Sequence, residues 1–108
     1  MRYGVGIDTS RPVEVVIQQA KDAVAAGFDD ITSSQIFAYD ALTLLAVVGS
    51  HVPDIGLMTS VVPTYPRHPV MLAAQALTVQ AATGNRLALG IGLSHQVVIE
   101  SMFGLSFD

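Results

Sequence analysis

Four short apolar blocks, each followed by a segment of helical periodicity, constrain this chain more than any other feature. Tyr3-Gly4-Val5-Gly6-Ile7 reads as a short buried strand. Asp8-Thr9-Ser10 supplies turn and capping oxygens, and Pro12 sits where its fixed φ suits a helix start. Val13, Val16, Ile17, Ala20 and Val24 then recur at helical spacing, and Gly27 ends that helix as a left-handed cap. Asp29 to Ser34 is a second strand anchored by Ile31. Asp40 is placed to cap a helix from Ala41 to about Gly49. Strand three runs from Ile55 to Val62. The helix from Pro69 to Ala82 carries Leu72, Ala76 and Val79 on one side, and Thr83-Gly84-Asn85 stops it. Strand four, Arg86 to Leu93, is apolar on both faces, as a parallel strand covered by helices should be. Ser94 is placed to cap a last helix, His95 to Phe103, closed by Gly104.

Strand–helix alternation repeated four times predicts an α/β fold with a parallel sheet and right-handed crossovers. Two architectures compete, an open doubly wound sheet and a (β/α)8 TIM barrel. A barrel takes ~250 residues. The expectation is therefore one partial domain over residues 1–108, the N-terminal half of such a barrel. Composition agrees: 51% of the 108 residues are apolar and 13% charged, which excludes a disordered chain. Arg2, Arg11, Lys21, Arg67 and Arg86 are scattered in a chain of net charge −4, so no nucleic-acid footprint exists. The chain has no cysteine, hence no disulfide framework and no thiolate metal site. No signal-peptide pattern opens it, and no apolar run reaches the roughly 18 residues that span a bilayer. No membrane partner and a cytoplasmic location are the expectation.

The candidate chemistry gathers at the predicted strand ends. Strand three runs into a loop stiffened by Pro63, Pro66 and Pro69, the kind of rigid exit on which α/β proteins build sites. Gly90-Ile91-Gly92-Leu93-Ser94-His95 partly matches the dinucleotide pattern G-x-G-x-x-G, with His95 in place of the third glycine. Those glycines would let a backbone or a flat ring approach, or would relieve crowding inside a barrel. At the end of strand four the His95 imidazole would bond a ligand or move a proton. The bland alternative is a helix-start residue facing solvent. His68 is expected to orient its loop by bonding backbone carbonyls, and His51 to answer a helix dipole. Three dispersed histidines make no metal site. Ser33, Ser34 and Gln35 end strand two at the level of a barrel mouth, while Asp8 and Asp40 read as caps.

Taken in order, Tyr3 to Ile7, Ser34 to Leu42, Thr59 to Pro69, Asn85 to His95 and Glu100 to Leu105 carry a resemblance over essentially the whole chain. It resembles the N-terminal part of a luciferase-like monooxygenase, in the branch that uses the deazaflavin coenzyme F420. The resemblance implies a TIM barrel with coenzyme F420, or alternatively FMN, at the C-terminal ends of the strands. It implies a non-prolyl cis peptide at Ser60–Val61 behind the ring. It further implies cofactor contacts from Ser34, Ser60, Val61, Gly90 and Gly92, and catalytic assistance from His95 and Gln35. The implied activity is hydride transfer between the coenzyme and a small organic substrate, with or without oxygen incorporation. The other reading is a catalytically incompetent half-barrel, whose open edges and apolar faces call for a partner. A homo-oligomer or association with another half-barrel is expected on that ground.

Overall fold

A computed structural model describes residues 1–36 and 38–107; Phe37, within the stretch expected as a loop, and Asp108 lie outside the described residues. The elements follow in the order β1 (Gly4–Gly6), α1 (Val13–Ala25), β2 (Asp30–Ser33), α2 (Ala41–His51), β3 (Gly56–Thr59), β4 (Val62–Pro63), α3 (Pro69–Ala82), β5 (Leu87–Ala88) and β6 (Ile91–Gly92), with a π-helical turn at Val98–Met102. Every strand pairing is parallel.

The main sheet has the order β1-β2-β3-β5. Strands laid down in chain order, without reversal, decide between the two expected architectures: this is a stretch of barrel wall, not a doubly wound sheet. The register shows which face is covered. Val5, Ile31, Leu57 and Leu87 lie side by side across the four strands. The last three are buried, packed with Val16, Ala20, Leu45, Val48 and Val79 of the three helices. The neighbouring row, Gly6, Thr32, Met58 and Ala88, points the other way and is half-buried or exposed. Helices therefore cover one face and leave the inner one open. Each Leu or Ile buried in this layer contributes about 1.5–3 kcal/mol.

Local signals explain the helix limits. The Asp40 carboxylate accepts from Thr43 N (2.9 Å) and Thr43 Oγ1 (2.6 Å), capping α2. Pro69 takes the first turn of α3. Gly27 at φ 88°, and Gly84 and Asn85 at φ 65° and 61°, turn the chain out of α1 and α3 in a conformation that branched residues avoid. Arg86 closes the far end of α2. Its guanidinium donates to the carbonyls of Gly49 (2.6 Å), Val52 and Ile55 (both 2.9 Å) and Thr83 (2.6 Å).

Four expectations need correction. Strands three and four are not continuous: each breaks in two, so the expected four strands become six. The break in strand three falls at Ser60–Val61, whose peptide bond is cis. Beyond it, β4 leaves the main sheet and pairs only with β6. Ser94, at φ 65°, makes no capping bond, and the last helix runs over 96–102 with a π turn at Val98–Met102. Asp8 accepts from Ser10 N (3.0 Å) and Ser10 Oγ within its own turn and leaves α1 uncapped by a side chain. His68 bonds backbone as expected but in the opposite sense. Its Nδ1 accepts from Val70 N (3.1 Å), capping α3. Among the described residues no helix is long and apolar enough to cross a membrane.

Candidate functional site

The C-terminal ends of β2, β3 and β5 converge, and the backbone between β3 and β4 is tied down on both flanks. On the β2 side Ser60 N donates to Ser33 O (2.9 Å), Ser34 Oγ donates to Ser60 O, and Gln35 N donates to Val61 O (3.1 Å). On the β5 side Val62 N donates to Gly90 O (2.9 Å). Thr59 Oγ1 donates to Gly90 O and accepts from Gly90 N, both at 2.8 Å. Six hydrogen bonds to four residues outside the segment thus fix the Ser60–Val61 bulge, while both of its residues stay exposed, Val61 by 40%.

Gly90 and Gly92 owe their identity to this bulge. A Cβ on Gly90 would stand 2.2 Å from Thr59 O, and one on Gly92 2.7 Å from Val61 Cγ2. Close packing of protein on protein thus restricts both positions.

Beside the bulge opens a cavity of about 460 Å³. Its apolar walls are Ile36, Pro63, Pro66, Val98 and Phe103, and its polar lining is Gln35, Arg67, Ser94 and His95. The structure therefore brings together the two residues expected to be catalytic, Gln35 and His95. Ser34, Ser60, Val61, Gly90 and Gly92 build the neighbouring bulge instead of the lining. The His95 side chain has no hydrogen-bond partner among the described residues; only its backbone is engaged, with Ile99 N donating to His95 O.

Gln35 is engaged. Its Oε1 accepts from Ala41 N (2.8 Å) and from Arg67 (3.0 Å). The Arg67 guanidinium also donates to Gln75 Oε1 (2.8 Å) and pairs with Asp40. Burial pushes the Asp40 carboxyl upward, but the bonds from Thr43 and the Arg67 charge outweigh it and hold the group below the usual carboxylate range. The Arg67–Asp40 pair escaped the sequence reading, which counted Arg67 among scattered charges. Its one visible signal was a cation within a proline-rich loop of a sparsely charged chain. Among the described residues no three of His, Asp and Glu gather as a metal group.

In-order parallel strands, helices on one face, and a pocket at the strand C-terminal ends define a segment of a TIM-barrel wall with a ligand-sized mouth. The chain belongs to the luciferase-like monooxygenase family, whose model matches residues 1–108. It is 38% identical over 82 residues to a Mycobacterium tuberculosis protein assigned by name to the coenzyme F420-dependent oxidoreductases, covering 76% of this chain and 24% of that one. Among solved structures it resembles the coenzyme F420-dependent tetrahydromethanopterin reductase of Methanopyrus kandleri (TM-score 0.87, 21% identity, 98% of this chain and 30% of that one). It also resembles the oxygenating constituent of 3,6-diketocamphane monooxygenase from Pseudomonas putida, solved with FMN (TM-score 0.80, 19% identity, 98% of this chain and 33% of that one). The chain thus spans a quarter to a third of the length of these proteins.

Proposed function

We propose that residues 1–108 form one partial barrel domain supplying the ring-binding end of a coenzyme F420-dependent oxidoreductase, with FMN as the alternative coenzyme. The observation that carries this reading is the union of the braced, exposed Ser60–Val61 bulge with an apolar pocket holding His95. The residues suit a flat ring. A cavity of about 460 Å³ lies within the usual ~300–1,000 Å³ of ligand pockets, and its walls are mostly proline, aliphatic and aromatic carbon. When bound, the deazaflavin or flavin supplies the hydride chemistry. Ser60 and Val61 would support one face of the ring, with Ser34 holding the Ser60 carbonyl in place. Gly90 and Gly92 keep the strand end slim enough for a ring to approach. Pro63 and Pro66 exclude water. The unpartnered imidazole of His95 would hold or move a proton for a small organic substrate. Oxygen incorporation is the narrower version of the same reading, supported by the likeness to the FMN-bound oxygenating constituent.

The test is titration of the complete gene product with coenzyme F420 and with FMN, followed by absorbance and fluorescence. Saturable binding of coenzyme F420, or of FMN, is expected; binding of neither overturns the reading.

The open inner face of the sheet supports a second reading, association with another half-barrel. Leu89, Ile91 and Leu93 near it are 40%, 56% and 62% exposed. Such apolar exposure marks a surface that is covered in use. Light scattering on the 108-residue chain tests it, and a stable soluble monomer counts against it.

A further inference from the structure

We infer that Gln35 serves the pocket as a hydrogen-bond donor, its amide orientation set by Arg67, and that it recognises an acceptor oxygen, carbonyl or anionic, on the bound molecule. Two donors, the Arg67 guanidinium and Ala41 N–H, converge on one terminal atom of the Gln35 side chain. Neither donor can accept, so that atom must be the oxygen. The amide nitrogen is what remains. One of its two hydrogens goes to Ile36 O at 3.2 Å, and the other has no partner among the described residues.

Arg67 is the positioning residue. It is largely buried and spans three elements, gripping Gln35 after β2, Asp40 at the start of α2 and Gln75 on α3. The same Gln35 donates its backbone N–H to Val61 O, so amide orientation and bulge position are tied together. Gln35 thus does not transfer a proton. A neutral amide has no proton to give or take near neutral pH, and its acceptor end is already spent.

This inference rests on the coenzyme reading for its ligand, and the test separates the two. Gln35→Glu keeps an oxygen for Arg67 and Ala41 but puts an acceptor in place of the donor. Gln35→Met removes the donor without adding charge. In the complete gene product, coenzyme F420 (or FMN, if that is the one that binds) is titrated in about 0.5 M salt, where simple charge repulsion is screened. Both variants are expected to bind about tenfold or more weakly than the parent. Gln35→Glu is expected to keep its melting temperature, because the Arg67 contact survives. Binding by Gln35→Glu equal to the parent overturns the donor assignment. A second arm needs no ligand. The side-chain amide signals of Gln35, read by 15N NMR, are expected to shift in Arg67→Met, whereas unmoved signals overturn the positioning role. Should the parent bind neither coenzyme, the coenzyme reading falls and the NMR arm alone decides the amide orientation.

Discussion

Arg86 offers the sharpest test of how this wall is held. It precedes β5, at the end of the strand opposite the pocket, and among the described residues it pairs with no carboxylate. Its charge is met by carbonyl dipoles: Gly49, Val52 and Ile55 around the end of α2, and Thr83 after α3. A cation at a helix C-terminus is favourable on its own account. Replacing it with Met keeps the stem and removes the fork. The carbonyls of Gly49, Val52 and Ile55, three buried or half-buried positions, then lose a charged donor at about 1–3 kcal/mol each. Water entering at the rim offsets part of that, so Arg86→Met should cost about 3–5 kcal/mol. That is a large share of the roughly 5–15 kcal/mol that stabilises a domain. Arg86→Lys keeps the charge but not the planar fork, and should recover no more than about half. The assay is urea unfolding followed by circular dichroism, with a lower midpoint and an unchanged slope expected. Coenzyme affinity of the folded fraction should not move, because the pocket lies at the other end of the strands. A loss below about 1 kcal/mol in Arg86→Met, or full recovery in Arg86→Lys, would refute the reasoning.

Gly90→Ala should destabilise by about 1–3 kcal/mol and weaken coenzyme binding, since the new methyl meets the Thr59 carbonyl; a melting curve identical to the parent's would contradict the packing account. Asp40 titrates lower in the fold than its ordinary 3.8, so the unfolded chain takes up the proton first. Its contribution is full above about pH 5 and is lost as pH falls through 3.8 and below, so Asp40→Asn should show a shallower stability loss between about pH 5 and pH 3. His95→Ala should leave the melting temperature unchanged, its side chain having no bond to lose, while lowering turnover by about 10²–10⁴-fold; unaltered turnover would remove His95 from the proton path.

Much of the fold was legible along the chain because its causes are local. Pro69 and Ala82 bound α3 as expected from a proline at a first turn and a Thr-Gly-Asn stop. Asp40 caps α2, and Gly27 ends α1 with the positive φ that its type allows. Ile31 reads as the anchor of its strand and is fully buried. The family too was legible, because an ordered set of short motifs survives even where each alone is weak. Other features depend on segments far apart in sequence, and these only the tertiary structure decided. Strand order chose barrel wall over doubly wound sheet, a choice that periodicity cannot express. The breaks in strands three and four follow from bonds that reach the bulge from Ser33, Ser34, Gln35 and Gly90, positions about 30 residues away on either side. Gly90 and Gly92 were expected as ring contacts; the fold adds a packing constraint on both, since a Cβ would meet the Thr59 carbonyl at Gly90 and the Val61 side chain at Gly92. Arg67 looked like one scattered charge until folding set it against Gln35, Asp40 and Gln75. Propensity and capping act over a few residues and are written in order, whereas a site is assembled from strand ends, and its geometry exists only once the sheet has brought them together.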